Sequence, residues 1–331
     1  MTYDNGDSHS KLAQYCKELV HAICQVAEAY LYEARLDDAL DLLDSDILKL
    51  VEGELEPADR LQIQVQQASV LRYKGLPNND YGCYDAALEI LFEAEKTARS
   101  LNDKGLLADI VDLIGSVLYA KELWRTALEG PLSYFEEGLR LRREIGDRRG
   151  IAESVFNVGL VYQNRVGTDD DDLQKAFERF QEAYRLAEQG AHIREQAHAA
   201  RHLAYVYGRR GEAGKALTYH KEFLAVNEEI GFKPFLPPAY IMVGVGYLMN
   251  DELDEAMACF QKAHVMAEEA GFRRYLAEAL FGIGVVREAR EERQEALGHY
   301  QEALTLAEQT NFKRVVDLAR TRIENLSNEG R

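Results

Sequence analysis

Small and apolar residues return along the second half of the chain at intervals that place them on one side of a helix. Gly244 is followed by Tyr247 three residues on, then by Ala256, Phe260 and Ala263 at twelve, sixteen and nineteen. Counting from Gly284 gives Ala296, Tyr300 and Ala303 at the same last three intervals. From Ala204 come Tyr207, Ala216, His220 and Phe223, which keep the period but change the residue types at the last two places. Phe223, Ala263 and Ala303 are forty residues apart, and Ala183 stands forty before them. An earlier copy runs Gly159, Tyr162, Ala176, Phe180, with five extra residues inside NRVGTDDDDLQK that predict an enlarged turn.

The pattern predicts pairs of helices. A small residue on the first helix admits the second, an alanine on the second faces it at the crossing, and large side chains fill the space between successive pairs. The links EIGD, EQGA, EIGF and EAGF place a glycine just past each second helix, suited to a left-handed C-cap. YGRRGEAGKA and YLMNDELDEA read as turns within pairs. Upstream the signal thins. Gly115 and Leu118 open a unit that closes with Phe135 and Gly138 after a turn around EGPL; Ala87, Leu91 and Ala94 close an earlier one; Ala27, Tyr30, Ala39 and Leu43 read as the first. The expectation is six to seven pairs, divided as degenerate N-terminal repeats over 1–110, a repeat array over 111–312, and a capping helix with tail over 313–331.

Composition narrows the function. A net charge of −18 argues against general affinity for nucleic acid or anionic membrane, because phosphate contact needs concentrated lysine and arginine. The acid is concentrated at the start, with 14 Asp or Glu against 5 Lys or Arg in the first sixty residues, whereas Arg273, Arg274, Arg287, Arg290 and Arg293 cluster near the end. That polarity suits steering of a partner or head-to-tail contact between copies. Cys16, Cys24, Cys83 and Cys259 form no CxxC pair and are expected as free thiols in a reducing cytoplasm. No signal core and no apolar run of membrane-spanning length is present in the sequence.

With these residues in place the chain resembles the tetratricopeptide-repeat family. Leu203, Ala204, Tyr207 and Ala216 match its pattern in one unit, Gly244, Tyr247, Ala256, Phe260 and Ala263 in the next, and Gly284, Ala296, Tyr300 and Ala303 in the last. Forty residues exceeds the family's common 34. The longer unit is similar to the extended repeats of kinesin light chains, of Leu-Gly-Asn-type polarity adaptors and of regulatory domains in bacterial transcription activators, the last also through GDRRGIAES. The resemblance implies an all-α, right-handed superhelix whose inner face holds a peptide or helix of a partner.

It also implies which side chains face that ligand, namely those flanking the small residue on each first helix. Here they are Phe156, Asn157 and Leu160; then His198, Arg201, His202, Tyr205 and Arg209; then Ile241, Met242, Val245 and Met249; and finally Phe281. The middle set is basic and aromatic, and the later one is apolar with two methionines. That combination suits an amphipathic helix laid in a groove, with Arg201 and Arg209 anchoring acidic groups at its edge. Met242 and Met249 have an alternative use as filler between long helices. Asn157 matches one position of the family's carboxylate-binding clamp, but Glu153 and Phe156 stand where supporting polar or basic residues belong.

Catalytic and metal motifs are sparse. His198 and His202 lie one turn apart with Glu195 nearby, but Ala199 replaces the glutamate that a zinc-protease helix requires. The acidic run Asp169 to Asp172 lacks the alternating ligands of a calcium loop; it reads as a solvated turn in which Asp172 caps the next helix. No phosphate loop, dinucleotide fingerprint or nucleophile elbow occurs in the sequence. The expected function is therefore a noncatalytic, cytoplasmic adaptor, scaffold or regulatory subunit that binds a protein or peptide and uses no cofactor, with a homo-oligomer open. A small-molecule or signal-peptide sensor, and a structural self-association module, are the alternatives.

Overall fold

The computed structural model describes residues 5–122, 128–164 and 170–328, with side chains from residue 11 onward. Those residues form α-helices joined by short turns, with no strand among them. Contacts divide the chain into two units: Met1–Gly75 with Tyr81–Thr168, and Leu76–Asp80 with Asp169–Arg331. The fold is an all-α repeat array of helix hairpins.

The first unit holds α1 (Asn5–Tyr32), α2 (Leu36–Leu43), α3 (Asp46–Val51), α4 (Pro57–Gly75), α5 (Tyr81–Leu101), α6 (Lys104–Glu122), α7 (Glu129–Ile145) and α8 (Arg148–Asn164). Its first hairpin is truncated, since α2 has only eight residues and gives way at Asp44 and Ser45. Ala27, Ala39 and Leu43 are nonetheless buried there, as are Ala87, Leu91 and Ala94 on α5. EGPL is not a turn: Glu129 to Leu132 are the first residues of α7, where Pro131 needs no backbone N–H partner.

α7 and α8 meet through a buried charge network. The Arg142 guanidinium donates to Asp112 Oδ2 at 2.9 Å, to Asp109 Oδ1 at 2.9 Å and to Asp147 Oδ2 at 2.7 Å. Ser154 Oγ donates to the same Asp112 oxygen at 2.7 Å. Asp147 also caps α8, accepting the Gly150 N–H at 3.0 Å. Gly150 is small of necessity, because a Cβ there would lie 2.0 Å from an Arg142 nitrogen. The motif GDRRGIAES thus works as a set: its Asp, second Gly and Ser all serve one arginine–aspartate pair. Burial pushes the Asp112 carboxyl up to about 7, against the opposing pull of Arg142 and Ser154.

The second unit holds α9 (Asp170–Gln189), α10 (Ile193–Arg209), α11 (Ala213–Glu229), a 3₁₀ turn (Lys233–Phe235), α12 (Leu236–Leu248), α13 (Leu253–Glu269), α14 (Arg273–Ala289), α15 (Arg293–Gln309) and α16 (Lys313–Asn328). Left-handed residues punctuate it at 191, 211, 231, 251, 271, 291 and 311, one every twenty residues. After each, an N–H reaches back five residues to close the helix, as from His192 to Ala187, Glu252 to Tyr247 and Phe312 to Ala307. The forty-residue repeat is therefore two equal halves. In EQGA the left-handed residue is Ala191, not Gly190, because the twenty-residue register sets the turn one place later. α12 alone among the inner helices is short; Pro237 and Pro238 begin it, and the 3₁₀ turn fills the missing stretch. Asp172 sits within the first turn of α9 instead of capping it, and Asp169 lies outside the described residues.

The crossings differ from the alanine-against-small-residue expectation. A Cβ on Gly244 would come within 2.8 Å of the Phe260 ring, and one on Gly284 within 2.7 Å of Tyr300. The glycine faces the aromatic sixteen residues on, and the same contact joins Gly115 to Phe135 and Gly75 to Tyr84. Ala216, Ala256, Ala296, Ala263 and Ala303 are buried around these contacts, as is Ala176 on α9. Leu76–Asp80 also belongs to this unit: Pro77 O accepts from Arg274 N at 2.9 Å, and Asn79 donates to Thr310 O at 3.2 Å. α16 closes the series through Val315 and Ala319.

Candidate partner-binding site

The side chains expected to face a ligand separate into buried and open sets. Phe156, Asn157 and Leu160 on α8 are all buried in the first unit, as are His202 on α10 and Ile241 on α12 in the second. His198, Arg201, Met242 and Phe281 are half-buried. Tyr205, Arg209, Val245 and Met249 are open to solvent, with Val245 at 42% and Met249 at 44% exposure.

The open set has a structural cause. Tyr205 and Val245 each follow the small residue of a first helix, and Arg209 and Met249 end the same helices four residues on. The small residue packs inward on the second helix, which turns its successor about 100° round the helix, away from that contact. α12 packs on α14, and Met249 lies against Gly208 of α10, where an added Cβ would meet the methionine Cε at 3.6 Å. The first helices of this unit therefore share one continuous face. Arg209 Nη1 donates to Tyr205 Oη at 3.1 Å, which fixes the basic end of that face.

Beside it, α10, α11 and the 3₁₀ turn enclose a cluster of a different kind. Arg201 donates to His202 Nε2 from Nε at 3.2 Å and lies 2.8 Å from it through Nη2, leaving the His202 proton on Nδ1. Its guanidinium sits over Phe223 and Phe235, 5.4 and 5.6 Å from the ring centroids. His198 packs edge-on against Phe235, and His202 lies tilted against Phe180. His220 is 8% exposed, and its Nδ1 has no hydrogen-bond partner. Burial, then the charge of Arg201, lowers the His220 pKa to about 4, and the same causes hold His202 well below the ordinary histidine range. Both rings are neutral at pH 7. Sequence reasoning named Arg201, His198 and His202 but not Phe235 or His220 as their partners. The signal was present, since His220 occupies the place of Phe260 and Tyr300.

No three His, Cys, Asp or Glu side chains converge as metal ligands among the described residues, and the His198–His202 pair is engaged as above. No helix among them is long and apolar enough to cross a membrane. Cys16, Cys24 and Cys83 are buried free thiols, and Cys259 is half-buried. Burial pushes the Cys24 thiol up to about 11.

A stack of helix hairpins with a glycine-under-aromatic crossing defines an α-helical repeat protein. Residues 238–309 match the tetratricopeptide-repeat family model, so the helix hairpins of that segment are similar to tetratricopeptide repeats. Solved structures of the same fold include a Rap protein complexed with competence and sporulation factor, with 14% identity over 95% of this chain and 98% of that one and a TM-score of 0.55. The tetratricopeptide-repeat sensor of a signal-transduction ATPase with numerous domains from Pyrococcus horikoshii gives 14% identity and a TM-score of 0.59. That match covers 94% of this chain but 44% of the ATPase. Aspartyl phosphate phosphatase F from Bacillus subtilis gives 14% identity over 93% and 94% of the two chains, with a TM-score of 0.51. No curated protein matches the sequence.

Proposed function

We propose that the shared face of α10, α12 and α14 binds a segment of a partner protein, and that the chain acts by selective affinity as a noncatalytic adaptor or regulatory subunit in the cytoplasm. The observation that carries this reading is the exposure of Tyr205 and Val245 at matching places on α10 and α12, with Met249 open four residues beyond Val245. Apolar side chains left open in register form a surface that gains by being covered. Met249 adds an adaptable thioether to it. Arg209 supplies charge at the rim.

The test compares proteins recovered with the wild-type chain, with Val245→Glu plus Met249→Glu, and with Val265→Glu as a control on α13, whose side chain is also 51% exposed. A partner retained by the control and lost by the double variant supports the face. Recovery of the same partners by all three, with each variant folded, removes it. A sensor role is the second reading. The relative solved with competence and sporulation factor and the one described as a sensor both favour it, and it uses the same face for a smaller ligand.

A further inference from the structure

We infer that the outer face of α1 is a self-association surface, along which two copies of this chain pair their first helices antiparallel about a two-fold axis. The inference is independent of the partner-binding reading above and concerns the other end of the repeat series.

α1 carries two apolar stripes. Cys16, Val20, Ile23 and Ala27 form the buried one, which packs on α2 and α4. A second runs Leu12, Tyr15, Leu19, Ala22, Val26 and Ala29, at alternating steps of three and four, about a third of a turn round the helix from the first. It is open to solvent: Leu12 is 44%, Tyr15 63% and Val26 47% exposed, Ala22 and Ala29 are exposed, and Leu19 is half-buried. The opening has a cause in the fold. α1 has 28 residues, about 42 Å of helix, whereas α2 has eight, about 12 Å, so the second helix of this hairpin is too short to cover the first. A terminal helix of a repeat array ordinarily turns a polar side outward. α16 does so, with Arg314, Asp317, Arg320 and Glu324 exposed and Leu318 as its one open large hydrophobe among the described residues. α1 leaves three open in a single row.

Size and charge name the occupant. Under a two-fold axis midway along the stripe, Leu12 lies opposite Ala29 of the second copy, Tyr15 opposite Val26, and Leu19 opposite Ala22. Each layer sets a larger side chain against a smaller one, which suits close packing of the two helices. A parallel pair sets each residue against itself, leaving tyrosine on tyrosine and alanine on alanine. Among the described side chains of α1 the charges are Lys11, Lys17, Glu18 and Glu28, two of each sign with the bases first. Antiparallel pairing therefore brings the basic end of each helix alongside the acidic end of the other. This neutral stretch belongs to a chain of net charge −18, whose copies otherwise repel. A basic partner finds its complement further on, where 33–60 holds most of the acid of the first sixty residues. The neutral stripe fits a copy of itself, as an isologous contact requires. A seam about 26 Å long stands at the small end of specific interfaces, so the pairing is reversible and depends on concentration.

The test is sedimentation velocity of the full chain from about 1 to about 100 µM, the range over which such a dimer titrates. The wild type is expected to move from the 37.5 kDa of one chain towards twice that mass. Tyr15→Glu with Val26→Glu sets carboxylates against each other at two places and is expected to weaken the dimer at least about a hundredfold. Tyr15→Glu with Val26→Lys sets opposite charges together when the helices run antiparallel, and like charges when they run parallel. That variant is expected to dimerise, more tightly in low salt than in high. Both positions are open in the single chain, so dilute samples of the variants are expected to melt with the wild type. A wild type that stays monomeric throughout overturns the proposal, as does a dimer that the two glutamates leave intact. Equal loss of pairing in both variants overturns the antiparallel arrangement. None of these outcomes bears on the face of α10, α12 and α14.

Discussion

Arg142 is buried in the first unit and Arg201 is half-buried in the second, and the two are packed in different ways. Arg142 is ringed by Asp109, Asp112 and Asp147, with Ser154 bonded to the innermost carboxylate. Asp112 Oδ1 has no hydrogen-bond partner, but it is shut in by Gly138, where a Cβ would lie 2.4 Å away. No ligand enters there. Arg201 instead packs its guanidinium over the Phe223 and Phe235 rings and reaches His202 Nε2. The first arrangement is closed electrostatically by its own chain and holds three helices together. Charge drawn inward is thus a joint between helices in one place and a ring-packed cation in the other, and the partners, not the arginine, decide which.

The comparison is broken most directly at the joint. Arg142→Met leaves Asp112 buried and unneutralised, and removal of one member of a buried pair costs about 3–5 kcal/mol. Urea unfolding of the full chain at pH 7 is expected to show a loss of that size, and Asp112→Asn added to Arg142→Met to recover part of it. Arg201→Met, by contrast, removes a half-buried cation from beside two phenyl rings and is expected to cost well under half as much. Equal losses for the two arginines would erase the distinction drawn above.

The two regions also differ in how far the sequence betrays them. The helix pairs of the second unit follow from Gly244, Ala256, Phe260 and their forty-residue partners because each position is a packing contact, and packing limits residue type. GDRRGIAES stands out as a string, but its role does not, because Asp112 and Arg142 come from other helices and only the fold unites them. The first hairpin was hard to read for a plain reason: α2 stops after eight residues, so its second half has no period to show. Burial of Phe156, Asn157 and Leu160 was equally out of reach, since their flanking positions depend on how neighbouring helices sit. His220 was visible as an odd residue at a regular place, but no spacing rule says what an odd residue is for.

Acid sharpens the contrast. The folded-state pKa of His220, about 4, lies below the ordinary value of 6.5, so the unfolded chain binds the proton first as pH falls. Its contribution to stability is complete above about pH 6.5 and is lost progressively down to pH 4, amounting to ~3 kcal/mol over the whole interval. His202, lowered by the same burial, adds in the same direction. Urea midpoints at pH 7.5 and 5.0 check this. His220→Phe is expected to flatten the difference appreciably while carboxylates elsewhere leave a residual slope. An unchanged slope in that variant assigns the acid sensitivity to other groups.

Next in size is the crossing itself. Gly284→Ala drives a Cβ to 2.7 Å from Tyr300, and overpacking of this kind costs about 1–3 kcal/mol. The equivalent place over His220 already holds Ala204, buried without exposure. The smaller imidazole leaves room that a phenyl ring does not. His220→Phe combined with Ala204→Gly is therefore expected to be more stable than His220→Phe alone, and thermal melts of the two variants measure the gap. A gap of zero means that the helices of this pair are spaced independently of the residue at 220.

The smallest effect on stability falls where the effect on binding is greatest. Met249 and Val245 are open side chains on helices whose inward residues carry the packing, so Met249→Glu is expected to move the unfolding free energy by no more than about 0.5 kcal/mol. If Met249 were filler between long helices, burying a carboxylate against Gly208 and α10 would cost several times as much. A single melt thus separates the two uses of this methionine before any partner is known. A near-neutral melt together with loss of the partner recovered by the wild-type chain assigns the side chain to recognition. A strongly destabilised variant returns it to the core and takes the apolar row of the binding face with it.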